Sequence, residues 1–183
     1  MNLEKKKMLD GEISDALDND LVLDRQKARN LAFKYKNIHP DAFDLKEEVM
    51  QELVNIKKPF YIEPDFNCDY GYNIEIGQNF FANFNCTILD VCKVKIGNDV
   101  LFGPNVQIYT AMHPTDPKER LKKIEFAKPV TIGNNVWLAG GVIVCPGVTI
   151  GDNTTIGAGS VVTKDIEANC LAVGNPCKVV KKF

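Results

Sequence analysis

From Val130 to Val162 the branched aliphatic residues return every sixth position, as Ile132, Leu138, Val144, Ile150, Ile156 and Val162. Gly133, Gly151 and Gly157 follow them directly, with Ala139, Cys145 and Thr163 in the remaining slots. A second series, Val136, Val142, Val148, Thr154 and Ser160, trails the first by four. An amphipathic helix repeats at three and four and a half-buried strand at two, so a strict period of six fits neither as one continuous element. It predicts a coil of very short strands, each turning at the same place, with one aliphatic side chain per face pointing inward. Short-period repeats of this kind are the signature of a β-helix.

One coil cannot bury its own aliphatic residues; stacked coils make a continuous core. Each buried Ile, Leu or Val is worth roughly 1.5–3 kcal/mol. The glycines suit the corners, where the backbone takes positive φ or is closely approached. Asn134, Asn135, Asp152, Asn153 and Asn169 fall at the same corners and tolerate such conformations best after glycine. Upstream, Ile96, Phe102 and Ile108 keep the step, as do Ile76, Ala82 and Ile88, and the phase slips by two somewhere in Leu89 to Lys95. From Ile108 to Ile132 is again a whole number of steps, so the segment 109–129 leaves the coil and re-enters in phase. The pattern places the coil from about Asp65 to about Val173.

Residues 1–58 carry no hexapeptide pattern. Leu17, Leu21, Ala28, Leu31, Ala32 and Tyr35 predict an amphipathic helix ending before Asn37-Ile38-His39-Pro40, with Ser14, Asp15 or Asp18 capping its start. Asp44 to Val54 predicts a second helix. The hairpin would cap a solenoid whose end coil otherwise exposes its interior. The charge run Glu4 to Lys7 reads as a solvated face. The division expected is a helical cap over 1–58 and a β-helix over 59–183 with its excursion at 109–129.

A net charge of −2 argues against a dedicated nucleic-acid or membrane-surface binder. No apolar run approaches the roughly 20 residues of a membrane span. Met1 to Asp10 lacks an apolar signal core, so a cytoplasmic protein is expected. Six cysteines occur without a Cys-x-x-Cys pair, so no metal site is expected and they read as small buried hydrophobes.

The chain has two histidines. His39 precedes Pro40 in a turn between the helices and reads as a surface or turn-stabilising residue. His113 lies in Tyr109-Thr110-Ala111-Met112-His113-Pro114, at the start of the long excursion. Long loops inside compact repeats tend to be functional, and a rigid coil ejecting a loop with a histidine at its root can hold a general base. On spacing alone, a loop-packing histidine fits equally.

These residues, with Asn79-Phe80-Phe81-Ala82-Asn83-Phe84-Asn85, Gly133-Asn134-Asn135-Val136-Trp137, Gly157-Ala158-Gly159-Ser160-Val161-Val162-Thr163-Lys164-Asp165 and Gly174-Asn175-Pro176-Cys177-Lys178-Val179, resemble the maltose and galactoside O-acetyltransferases over nearly the whole chain. Met8-Leu9-Asp10-Gly11-Glu12-Ile13-Ser14-Asp15 looks like that family's helical cap. The resemblance implies an all-β solenoid, a left-handed parallel β-helix with an N-terminal helical cap, although the period alone gives no handedness. It implies a homotrimer binding acetyl-CoA between subunits and moving the acetyl group to a hydroxyl of a maltose- or glucose-like sugar.

By the same resemblance His113 is the catalytic base, and Asp15, Asp69 and Asn83 bind the acceptor. Asp15 and Asp69 read equally as cap or turn residues. Glu125 either orients His113 or is a solvated loop acid. Val91 departs from the acidic residue of the galactoside branch, and Asp90-Val91 looks maltose-like. Trp137, Gly140, Ala158, Thr163, Lys164, Lys178 and Lys181 match cofactor-contacting positions; alone, the lysines read as solvated surface. Three rivals stand beside this reading: an acetyltransferase for an antibiotic, amino sugar or serine; a zinc carbonic anhydrase, which would need three histidine ligands; and a non-catalytic scaffold.

Overall fold

The computed structural model describes residues 2–183. Three helices come first: α1 (Leu3–Leu9), α2 (Asn19–Lys36) and α3 (Phe43–Leu53). Strands of two to five residues follow, and nearly all pair in parallel in three sheets. The sheets form the faces of a prism, a left-handed parallel β-helix. The first face stacks Ile56, Ile76, Ile96, Ile132, Ile150 and Ile166. The second stacks Ile62, Ala82, Phe102, Leu138, Ile156 and Ala172. The third stacks Cys68, Ile88, Ile108, Val144 and Val162. Small Ala82 leaves room for Phe102, whose ring meets Phe80 edge-on at 5.1 Å. The trailing series, Val136, Val142, Val148, Thr154 and Ser160, is buried at the corners.

The corners divide their two demands between residue types. Gly97, Gly133 and Gly151 face close backbone: a Cβ on Gly97 would lie 2.7 Å from the carbonyl carbon of Gly133. The positive φ falls instead two residues later, at Asn79, Asp99, Asn135, Asn153 and Asn169. The Asn153 amide donates to Asn169 at 2.9 Å and accepts from Asn135 at 3.0 Å, so the strained positions carry their own ladder.

The coil starts earlier than about Asp65, because Asn55–Ile56 already forms a rung. Helices α2 and α3 plug that end with Ala28, Tyr35, Val49, Met50 and Leu53. Asp18 caps α2, accepting from the N–H groups of Asp20 and Leu21. Leu17 lies outside the helix, 72% exposed, and neither Ser14 nor Asp15 caps α2. Glu4 to Lys7 sit in α1, which the apolar spacing does not announce.

Register explains the slip in phase. Rungs are 20 residues apart from Ile56 to Ile76 to Ile96 and 18 from Ile132 to Ile150. The extra residues fall at the corner after the third face, in the turns that hold Tyr70, Val91 and Cys92. These three join Met8, Leu21 and Ala127 in a second, smaller apolar cluster outside the prism. The irregular turns thus build a platform between the cap and the root of the excursion.

Candidate functional site

The excursion leaves after Thr110, runs through a hairpin of Ala111–Met112 with Phe126–Ala127, and re-enters at Val130. It contains one short helix, α4 (Pro117–Arg120), with Asp116 as its cap. The hairpin is strapped to the N-terminal segment: Ser14 N–H donates to Glu125 O at 3.1 Å and Ala127 N–H to Gly11 O at 3.4 Å.

His113 projects from the neck of this loop into a cleft of about 580 Å³, with walls from α1, the 13–17 segment and the 122–125 end of the loop. Its Nδ1 lies 3.1 Å from the carbonyl oxygen of Ile124. A carbonyl only accepts, so Nδ1 carries the proton and Nε2 of the neutral ring keeps its lone pair. Glu125 and Asp15 line the same cleft, as do Glu4 and Lys7. Far from being merely solvated, Glu4 accepts from Asp15 N–H at 2.7 Å and from Lys7 at 2.6 Å. The Asp15 carboxylate in turn accepts from Leu17 N–H at 2.9 Å.

Burial pushes the Glu125 carboxyl up, opposed by the nearby His113 and Arg25 charges and reinforced by Asp69. Burial likewise raises Asp69, with Arg25 and Arg29 pulling it down. Asp69 therefore belongs to the electrostatic surroundings of Glu125. Behind it Asp90, fully buried, accepts the N–H groups of Asp69 and Tyr70, each at 2.9 Å. The Tyr70 hydroxyl accepts from Arg25 at 2.5 Å. Reading the sequence alone missed Glu4, Lys7, Arg25 and Tyr70, and used Asp90 only as a branch marker. The available signal was the phase slip, since residues added to a regular coil must leave the prism.

The remaining candidates lie elsewhere. Asn83 and Gly140 share the corner between the second and third faces, with Ala158; Trp137 stands half-exposed on the second face. Thr163 and Lys164 follow the third face, at the same edge as the His113 loop. Lys178 and Lys181 are exposed on the last strand, Lys178–Lys182, antiparallel to Cys170–Val173. The corner holding Gly140 and Ala158 is open: a Cβ on Gly159 would have no heavy atom within 4 Å. Within one chain, the width of the third face separates this corner from His113.

The chain matches the bacterial transferase hexapeptide family (six repeats) over residues 129–164 and the maltose acetyltransferase hexapeptide capping motif over residues 7–55. It is similar to a maltose O-acetyltransferase structure from Clostridium difficile 630, with 51% identity, a TM-score of 0.97, and 98% of this chain and 97% of that one covered. A galactoside acetyltransferase in complex with coenzyme A superposes with a TM-score of 0.92 at 37% identity, covering 100% of this chain and 92% of that one. The galactoside O-acetyltransferase of Escherichia coli (strain K12) is 42% identical over 160 residues, 87% of this chain and 79% of the relative. By fold, cap and sequence, this chain belongs to the maltose and galactoside O-acetyltransferases of the hexapeptide-repeat acyltransferases.

Proposed function

We propose that the protein transfers the acetyl group of acetyl-CoA to a hydroxyl of a maltose- or glucose-like sugar, with His113 as general base. The observation that carries this reading is the Nδ1 contact with Ile124 O at 3.1 Å, which leaves the Nε2 lone pair free beside a cleft lined by carboxylates and lysines. Nε2 takes the acceptor's hydroxyl proton as that oxygen bonds to the thioester carbonyl carbon. The carbon–sulfur bond then breaks, and the departing thiolate takes the proton from the imidazolium. A base so placed contributes about 10²–10⁴-fold. Asp15, Asp69 and Glu125 accept from sugar hydroxyls. Asn83 has its Oδ1 engaged by Phe84 N–H at 2.7 Å and offers its NH₂ group.

The cofactor side fits a long, flexible, polyanionic thioester. Gly140, Ala158 and the open corner at Gly159 admit a pantetheine arm against the backbone. Lys164, Lys178 and Lys181 are exposed where phosphates can be met by point charges, and Thr163 is exposed beside Lys164. Trp137 offers a half-exposed ring for the thioester end.

Because the third face separates His113 from the corner of Asn83, Gly140 and Ala158 in one chain, the working unit is a homotrimer in which one copy's His113 meets that corner and Trp137 of its neighbour. An outward column of Tyr61, Phe81, Leu101 and Trp137 gives such an assembly apolar surface to cover. A cytoplasmic setting supplies acetyl-CoA and keeps the six free cysteines reduced. The test is thiol release from acetyl-CoA across mono- and disaccharides, amino sugars, antibiotics and serine, with the mass read by light scattering. Turnover stimulated by glucose or maltose in a trimer supports the reading. Stimulation by serine or an antibiotic alone, or a monomer with full activity, overturns it.

A further inference from the structure

We propose that Asp90 is a positioning residue for the acceptor half of the site, placing Asp69 directly and Asp15 through Tyr70, Arg25 and Ala16. The kinetic part of its test rests on the acetyl-transfer reading above. Asp90 is 0% exposed, although nothing in the packing of the prism requires an acid there. Burying a carboxylate is costly unless its contacts repay it. One oxygen accepts both backbone N–H groups of the Asp69-Tyr70 turn at 2.9 Å; the other has no partner among the described residues. The Asp90 carbonyl accepts from the Asn73 amide at 2.7 Å, closing the turn from its far side. Gly71 completes it at φ +79°, where a Cβ would come 2.9 Å from Leu53 Cδ1 of α3.

The turn then reaches the 13–17 wall of the His113 cleft. The Tyr70 hydroxyl accepts from Arg25 Nη1 at 2.5 Å, with the guanidinium 5.5 Å from the ring centre. Arg25 Nη2 donates to the carbonyl of Ala16 at 2.5 Å, one residue from Asp15. Both acceptor-side aspartates are thus tied to one buried carboxylate. Burial pushes the Asp90 carboxyl up to about 7, and the engaged oxygen accepts in either protonation state.

Asp90→Leu removes the acceptor on the same branched skeleton of four heavy atoms, at a larger volume; Asp90→Asn keeps one oxygen. In steady-state assays with maltose and acetyl-CoA, the leucine variant should raise the maltose KM tenfold or more and leave the acetyl-CoA KM within twofold. The asparagine variant should stay within threefold on both. Amide exchange reads the same turn without any acceptor: Asp69 and Tyr70 should lose protection tenfold or more in the leucine variant and keep it in the asparagine variant. Wild-type protein that maltose does not stimulate would count against the acetyl-transfer reading, while exchange would still decide this one. Unchanged exchange in Asp90→Leu, equal damage to both KM values, or equal damage from Asp90→Asn overturns the proposal. If leucine fails to fold, Asp90→Ala takes its place; failure of both assigns Asp90 to folding alone and overturns it too.

Discussion

The backbone N–H of Ser14 donates to the carbonyl of Glu125 at 3.1 Å, one residue beyond the Ile124 carbonyl that holds His113. The N-terminal segment therefore fixes the neck of the loop that carries the base. Three residues before Ser14, Gly11 has φ +74°, and a Cβ there would lie 2.7 Å from Ala127 O. Gly11→Ala should strain this strap by about 1–2 kcal/mol through the left-handed conformation alone. The expected outcome is a several-fold drop in kcat/KM for the acceptor and a fall of a few degrees in melting temperature. Wild-type kinetics in that variant would show that the strap does not position His113.

His113→Ala removes the base and one exposed contact to a carbonyl. The kcat should fall by about 10²–10⁴-fold, while melting shifts little because the ring is exposed and makes no core contact. Full turnover in a folded His113→Ala trimer would remove the imidazole from the chemistry.

The prism was legible because burial every sixth residue has few other solutions: Ile132, Leu138 and Val144 lie on three successive faces, as their spacing requires. His113 was legible because it sits at the root of the one long departure from that period. Asp90, Tyr70 and Arg25 were not, since they meet only after Arg25 on α2 folds against a turn 45 residues away. Helix α1 was missed because, among its described residues, only Met8 is buried, too little for a periodic signal.

The corner ladder makes a sharper stability prediction. Asn153 has φ +55° and two ladder bonds, so Asn153→Ala loses both and leaves a Cβ in an unfavourable conformation. Asn153→Gly loses the same bonds but relieves the backbone. The alanine variant should therefore be less stable than the glycine variant by about 1 kcal/mol. Urea melts of both, at one protomer concentration, check the order; a more stable alanine variant would mean that the corner does not hold its φ.

Asp90 also predicts how stability depends on pH. Its carboxyl is raised to about 7 from an ordinary value of 3.8, chiefly by burial, with the Asp69 charge adding and the backbone N–H groups of Tyr70 and Asp69 opposing. Cys68, Tyr72 and Cys92 are the other titratable groups within reach of its charge. A group whose pKa is higher folded than unfolded binds its proton more tightly in the native state. Its contribution is complete below the unfolded value and is lost as pH rises through the folded one. For Asp90 that window runs from about pH 4 to about pH 7 and holds on the order of 4 kcal/mol. Asparagine does not titrate, so Asp90→Asn should gain on wild type by an amount of that order between pH 4 and pH 8. Urea unfolding followed by far-ultraviolet circular dichroism, at fixed protomer concentration, measures the difference. A constant gap across the range would mean that Asp90 does not change its proton in this window.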